Sequence, residues 1–357
     1  MKVKYPTTGS KNNTKLIVVN YSMDSADPIF GHQQQIVLEL SKHWSEIHVI
    51  TGRSGKLVGK SNVFVYDTNW LPDQNFRNIL NFVKVFFRVI RATKPNVIFS
   101  HMTEVQSSIV AIYCKCKGLK HYLWYAHASS SKYLRFVSRF ATGIITSTPG
   151  SCPLSGEKVI VIGQSIDEKQ FKQKFVRSEK LLRFVHFGRL DESKGIQEMI
   201  DSLSAIRIAE PDITLSFIGN PSNQRNAIWA EGLKSRYSAE TSWLEFHPAV
   251  SRSDLPAAIA NYDLMLHAFR GSLDKTLVEA TMVGIPVATV NLEYIRIFGP
   301  WGGHQDLGSI ALPGEISAIM GLNQAQLELE LNSRRLLAIK NHSMSNWILK
   351  LNQILMS

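Results

Sequence analysis

With 357 residues, 44% of them hydrophobic and 19% charged, the chain has the make-up of a globular protein long enough for two domains of ordinary size. Its apolar runs stop short of the roughly 18 to 20 residues a membrane span takes, and Cys114, Cys116 and Cys152 form neither a redox motif nor a zinc half-site, so a reduced, cytoplasmic protein is expected. The net charge of +11 is unevenly placed: residues 1–175 hold 23 Lys and Arg against 10 Asp and Glu, residues 176–357 hold 17 against 19, which points the first half towards an anionic partner.

Met1 to Lys15 is polar, has no apolar core and reads as a frayed tail, not a signal peptide. Leu16 to Asn20 is predicted as a buried strand. A loop with Pro28 and Gly31 follows, then a helix from about Gln33 to His43. Ile47 to Thr51 and Val63 to Asp67 read as strands, and a helix over Phe76 to Thr93 is stopped by Pro95. Val97 to Ser100, Tyr122 to Ala126 and Gly143 to Thr148 continue the sheet. Strands separated by helices imply parallel pairing with right-handed crossovers. Val159 to Phe175 reads as a linker, its apolar start giving way to a Lys/Gln-rich stretch over Glu168 to Arg177. The strand pattern then restarts with Arg183 to Phe187, Thr214 to Ile218, Trp243 to His247, Leu264 to Ala268 and Val287 to Val290. Two doubly wound halves facing across a cleft are the expected architecture, with ligands outside the carboxyl ends of the strands.

Two stretches carry chemistry. In Phe187-Gly-Arg-Leu-Asp-Glu-Ser-Lys-Gly195 a strand ends at Gly188, and Arg189 and Lys194 precede a helix. A guanidinium fork and an ammonium at such a place suit a diphosphate. In Ser272-Leu-Asp-Lys-Thr-Leu-Val-Glu-Ala-Thr-Met-Val-Gly-Ile-Pro286 the acid Glu279 sits in what reads as the first turn of a helix that stops at Gly284-Ile-Pro286, and suits a ribose diol. Together they ask for a nucleotide sugar.

These stretches, with Phe217-Ile-Gly219, Leu244-Glu-Phe-His-Pro-Ala-Val250 and the linker Val159 to Phe171, resemble the retaining GT-B glycosyltransferases of family 4, the group 1 glycosyl transferases. The likeness is specific in residues 184–290 and looser before them, where Phe30-Gly-His-Gln33 stands at the family's first glycine loop and His127 follows a strand. It implies an α/β fold of GT-B type, with residues 1–170 as an acceptor and membrane domain and residues 171–340 as the nucleotide-sugar domain. Residues 341–357 would be a helix packing back on the first domain. His127, Arg189 and Lys194 become the catalytic candidates, the two cations stabilising the leaving diphosphate and His127 orienting hydroxyls. Gly31, Gly188, Ser272, Leu273, Asp274, Lys275 and Glu279 become donor-binding candidates. Glu279 matches the second acid of the family's Glu-x7-Glu motif. Gly271 stands where the first acid would be, so Asp274 and the N–H groups of Gly271 to Leu273 are expected to take over part of its role.

Arg77, Lys84, Arg88 and Arg91 fall on one stripe of the Phe76 to Thr93 helix, with Leu80, Val83, Phe86, Phe87 and Ile90 elsewhere around the wheel. No acid occurs in Arg77 to Lys94, and Lys132, Arg135 and Arg139 follow among aromatics, so an anionic membrane surface is the expected partner through Lys84, Arg88 and Arg91. No recognition motif favours nucleic acid. Gly55-Lys-Leu-Val-Gly-Lys-Ser61 is one residue short of a Walker A loop, and no Gly-x-Gly-x-x-Gly occurs. No metal-ligand spacing appears, so neither metal nor cofactor is expected. The expected protein is a metal-independent hexosyl- or N-acetylhexosaminyltransferase at the inner membrane face. It would serve a lipid-linked or oligosaccharide acceptor in bacterial surface polysaccharide synthesis. A catalytically silent partner subunit and a sugar-nucleotide epimerase of the same fold are the alternatives.

Overall fold

The computed structural model describes residues 14–27, 30–172, 180–240, 242–302 and 310–357. Most of the expected N-terminal tail, Pro28 and residues 173–177 of the Lys/Gln-rich stretch lie outside the described residues. The chain divides into two compact units, Met1–Ile162 with Ile348–Ser357, and Gly163–Trp347.

The first unit is built on β1 (Lys15–Met23), β2 (Glu46–Ser54), β3 (Val63–Asp67), β4 (Val97–His101), β5 (Lys120–Trp124), β6 (Gly143–Thr146) and β7 (Val159–Val161). Their order in the sheet is β3-β2-β1-β4-β5-β6-β7, and every pairing is parallel. Between them run α1 (Gly31–Leu40), α2 (Asn75–Thr93), α3 (Glu104–Lys117) and α4 (Lys132–Phe140). A parallel strand is covered on both faces, which is why β1 reads as the unbroken run Leu-Ile-Val-Val. Ile17, Val19 and Ile50 of the sheet meet Phe82, Phe86 and Val89 of α2 in one core, and Leu123 and Ile144 meet Leu134 and Val137 of α4 in another.

Val159–Val161 corrects the expectation of a linker: it pairs with β6 as the seventh strand, Ile144 opposite Val159. Three apolar residues are too few for periodicity to tell a strand from a tether. A second correction concerns α2. Phe82, Phe86, Val89 and Ile90 form its buried face, whereas Leu80 is 53% exposed and Phe76 77% exposed, on the solvent side with Lys84, Arg88 and Arg91.

The second unit holds β8 (Arg183–Phe187), β9 (Thr214–Ile218), β10 (Leu244–His247), β11 (Leu264–His267) and β12 (Val287–Thr289) in the order β10-β9-β8-β11-β12, again all parallel. Its helices are α5 (Ile196–Arg207), α6 (Gln224–Arg236), α7 (Leu255–Ile259), α8 (Lys275–Val283), α9 (Leu292–Phe298), α10 (Leu312–Met320) and α11 (Gln324–His342). Alternation along β8 splits the core: Phe184 joins the cluster around α5, while Val185 and Phe187 join Leu277, Val278 and Met282 of α8. The last helix, α12 (Met344–Met356), starts in the second unit, and its residues from Ile348 onward belong to the first.

Each sheet reverses its strand order once, between β1 and β4 and between β8 and β11. At such a switch point the two neighbouring crossovers leave in opposite directions, and a crevice opens beyond the carboxyl ends of the strands.

Candidate functional site

In the second unit the crevice is framed by the loop after β8, the loop after β11 and the start of α8. The first loop turns at Gly188, whose φ of +142° is open to glycine but not to an L side chain. Its N–H donates to Ile218 O (3.0 Å), and a β-carbon on Gly219 would lie 1.7 Å from Gly188 O, so both glycines are needed where β8 and β9 end side by side. A short 3-10 turn, Glu192–Lys194, then leads through Gly195 (φ +68°) into α5.

The two expected cations lie on this loop in different surroundings. The Arg189 side chain is 52% exposed and pairs with Asp191 Oδ2 at 3.2 Å. Asp191 is itself buried and accepts the Ser222 N–H (2.9 Å). Lys194 is buried, its ammonium bonded to the Asp274 carboxylate and set over the Phe269 ring, 4.2 Å from the centroid.

Asp274 is the N-cap of α8, its side chain accepting the Thr276 N–H, and it also faces His267 Nε2 at 3.4 Å. Burial alone would raise its pKa, but the Lys194 ammonium and His267 outweigh that and hold it well below the usual carboxylate range. His267 in turn bonds Thr289 Oγ1 through Nδ1 (3.2 Å), and burial pushes its pKa down against the pull of Asp274. The neighbouring His186 bonds Leu266 O through Nδ1 (3.0 Å); a carbonyl only accepts, so Nδ1 carries the proton and Nε2 is a bare acceptor. Burial, with His267 and Lys194 nearby, drops its pKa to about 3.

Because Asp274 caps it, α8 begins at Lys275, and Glu279 is its fifth residue, one turn later than expected. Glu279 is 2% exposed and accepts from Arg252 Nη2 at 2.7 Å, which replaces the expected interplay with a helix N-terminus. Arg252 also covers the Phe171 ring, 5.3 Å from the centroid. Lys275 is half-buried, and its pKa is pushed down to about 7 by burial and then by Arg252, against Glu279 and Asp274.

The loop after β11 explains the absence of an acid at 271. A β-carbon on Gly271 would lie 2.2 Å from Phe269 Cζ, so the ring that covers Lys194 fills the space a side chain there would take. The loop is pinned from behind: Asn291 Nδ2 donates to the carbonyls of Phe269 (2.9 Å), Gly271 (3.3 Å) and Ser272 (3.2 Å), and Gln164 Nε2 donates to Leu273 O (2.9 Å). The N–H groups of Gly271 and Ser272 have no hydrogen-bond partner among the described residues.

Gly188, Arg189, Lys194, Gly271, Ser272, Leu273, Asp274, Lys275 and Glu279 thus all fall in the second unit around one crevice. Gly31 and His127 belong to the first unit. Gly31 opens α1, where a β-carbon would meet Ser25 O at 3.1 Å; the close approach there is made by the chain's own turn. His127 lies exposed beyond β5, its ring 5.8 Å from that of Tyr125. Lys84, Arg88 and Arg91 line a shallow depression on α2 with Val83, Phe87 and Ala92. Reading the sequence missed His186, Arg252, His267, Phe269 and Asn291. The two histidines had a signal, since each is a polar residue inside a buried strand pattern; Arg252, in an exposed turn, had none.

Among the described residues no group of three His, Cys, Asp or Glu is placed to hold a metal ion, and no helix is long and apolar enough to cross a membrane.

Residues 182–298 match the family profile described as glycosyl transferases group 1. No curated protein matches the chain by sequence. Solved structures match over nearly the whole chain. HepE from Anabaena in complex with UDP is 15% identical with a TM-score of 0.71, covering 96% of this chain and 100% of its own. Sucrose-phosphate synthase from Thermosynechococcus elongatus is 13% identical with a TM-score of 0.74, covering 96% and 98%. The lipopolysaccharide outer core galactosyltransferase WaaB, in its apo form, is 14% identical with a TM-score of 0.67, covering 96% and 99%. The fold shared with them is GT-B.

Proposed function

We propose that this chain, whose residues 182–298 match the group 1 glycosyl transferases and whose fold is GT-B, is a glycosyltransferase that moves a hexosyl or N-acetylhexosaminyl group with retention from a nucleoside diphosphate sugar to a lipid-linked or oligosaccharide acceptor. The observation that carries this reading is the crevice beyond β8 and β11. Cations, a helix start and two unpartnered N–H groups converge there, one turn from a buried carboxylate. Such an arrangement recognises a diphosphate joined to a diol. HepE has also been solved with UDP and glucose and with UDP-glucose, which supports a nucleotide-sugar donor for a protein of this fold.

In this reading Glu279 accepts the ribose hydroxyls. The Gly188 turn lets the diphosphate approach the backbone, and Arg189 and Lys194 supply positive charge to the wall of the crevice. The N–H groups of Gly271, Ser272 and Leu273 bind donor oxygens in place of the missing acid, with Asp274 and Lys275 beside them. Charge growing on the leaving diphosphate is met by these fixed donors, so the reaction is proposed to need no metal and no other cofactor. His127 is proposed to orient donor or acceptor hydroxyls, and Gly31 to let the backbone approach acceptor or phosphate closely.

The first unit is proposed to rest on the anionic inner face of a bacterial membrane, as in surface polysaccharide assembly. The outward side of α2 supports this, since exposed Phe76 and Leu80 share it with Lys84, Arg88 and Arg91.

The test is transfer from a panel of radiolabelled nucleotide sugars to membrane-lipid acceptors. Wild type is expected to transfer from one of them, and Arg189→Ala and Glu279→Ala to lower the rate on the order of a hundredfold. Nucleotide binding without transfer or hydrolysis of any donor would favour a catalytically silent partner subunit. Interconversion of the free nucleotide sugar would favour an epimerase. For the membrane, wild type is expected to float with anionic vesicles and the Lys84/Arg88/Arg91 triple alanine variant to stay behind. Each basic residue near such a surface is worth about 1 kcal/mol, and equal flotation would overturn the docking.

A further inference from the structure

The helix α11 carries apolar residues on two opposite sides. Leu327, Leu331 and Ala338 are buried on its inner side, with Arg334 among them. The two leucines join the core around α5, and Ala338 joins Leu277, Val278 and Met282 of α8. That stripe accounts for the place of the helix in the second unit. Leu329 and Leu336 lie on the other side, 75% and 65% exposed. Seven residues separate them, so two turns bring them onto one line, about 10 Å apart. Ala325 and Asn332, both exposed, fall on the same line, and the spacings along it run four, three and four. Single exposed leucines are common on protein surfaces, but a stripe repeating every three and a half residues is the seam of a helix pair.

The charges beside this line are sorted along it. Glu328 precedes Leu329 and Arg335 precedes Leu336, which sets an acid and a base on one flank, again seven residues apart. Glu328 is exposed. Arg335 is half-buried, its Nε donating to Met282 O (3.1 Å), and its terminal nitrogens have no ion pair or hydrogen bond among the described residues. The other acid and base of this stretch, Glu330 and Arg334, bond each other at 2.7 Å, with Arg334 over the Trp301 ring, 4.0 Å from the centroid. A surface with apolar residues along its middle, an acid towards one end and a base towards the other complements itself when reversed.

We propose that the outer side of α11 is an interface between two copies of this chain, the two helices running antiparallel about a two-fold axis beside Asn332. Such an axis keeps each flank of the helix on the same side of the seam. Leu329 then lies opposite the partner's Leu336, and Glu328 opposite the partner's Arg335. Asn332 meets its own copy at the centre, where an amide that both donates and accepts holds the register. A parallel pairing would instead set each charge against itself. The dimer goes beyond the transfer reaction and does not depend on it. One helix per copy makes a contact smaller than the roughly 1,600 Å² of a standard interface, so the dimer is expected to be reversible, with a dissociation constant in the micromolar range.

The experiment is sedimentation velocity of the full-length protein at low salt, from about 1 to about 300 µM. Wild type is expected to pass from monomer to dimer across that range. Leu329→Ser/Leu336→Ser is expected to remain a monomer with an unchanged melting temperature, since both side chains already face solvent. Glu328→Lys is expected to weaken the dimer about tenfold or more, because like charges then face each other at both ends of the seam, and Arg335→Glu to do the same. An equimolar mixture of these two chains restores opposite charges at both ends and is expected to associate within about threefold of wild type. Wild type that stays monomeric at every concentration overturns the second copy as occupant and leaves the face to a different chain or a bilayer. A dimer that survives loss of both leucines overturns the seam, as does a mixture that associates no better than either folded variant alone. Should Arg335→Glu fail to fold without its bond to Met282, wild-type association in Glu328→Lys is by itself enough to overturn the antiparallel pairing.

Discussion

A glutamate at position 271 would place its β-carbon 2.2 Å from Phe269 Cζ, so the ring that lies against Lys194 would have to shift. Gly271→Glu is therefore expected to lower the denaturant midpoint by an amount worth about 1–3 kcal/mol, and Phe269→Ala in the same chain to return part of it. No change in stability in the single variant would show that the ring moves freely. Lys275 gives a second prediction at this scale. Its native pKa of about 7 lies below the ordinary lysine value of roughly 10.4, so between those limits the unfolded chain holds a proton that the native one lacks. Stability contributed at Lys275 should then rise with pH from about 7 towards 10, by less than about 1.4 kcal/mol per unit because the side chain is only half-buried. Lys275→Met should lack that rise in urea melts at pH 7, 8 and 9. Single residues were the least legible part of the sequence. The Gly-Arg…Lys-Gly pattern marks the loop, but nothing in it says that Lys194 is already matched by Asp274, eighty residues away, or that Glu279 is matched by Arg252.

Elements were far more legible, because burial on both faces of a parallel sheet writes apolar runs that stop at glycine or a polar turn. Val63–Asp67, Arg183–Phe187 and Thr214–Ile218 begin and end where the sequence places them. β7 escaped notice, since three apolar residues carry no period, and Glu279 falls beyond the first turn of α8 because Asp274 caps that helix and starts it at Lys275. The strand ends around the crevice are fitted closely enough to test. A methyl group on Gly219 would sit 1.7 Å from the Gly188 carbonyl oxygen, a backbone atom with no side-chain freedom to retreat. Gly219→Ala should thus push the β8 loop out of place, lowering stability by about 1–3 kcal/mol and weakening the proposed nucleotide binding with it. An unchanged melting temperature with unchanged affinity would mean that the loop shifts at no cost.

At the scale of the whole molecule each unit buries a histidine that burial holds neutral, His121 on β5 and His186 on β8, with pKa values dropped to about 3. Below the ordinary value near 6.5 the unfolded chain takes up protons that these sites refuse, so stability is expected to fall as the pH drops from about 6.5 towards 3. His121→Gln and His186→Gln should each flatten that fall in thermal melts, the former for the first unit and the latter for the second. The first unit also includes Ile348–Ser357. Leu351 and Leu355 are buried there, and Asn352 Oδ1 accepts from the buried Trp44 Nε1 at 2.9 Å, across 308 positions of sequence. Removal of those ten residues should unshield Trp44, seen as a red shift of its emission, and open the first unit to protease before the second. A ribosome therefore finishes every residue of the second unit before it delivers the piece that completes the first. A stop codon in the last ten positions would release a chain whose older half is the unfinished one.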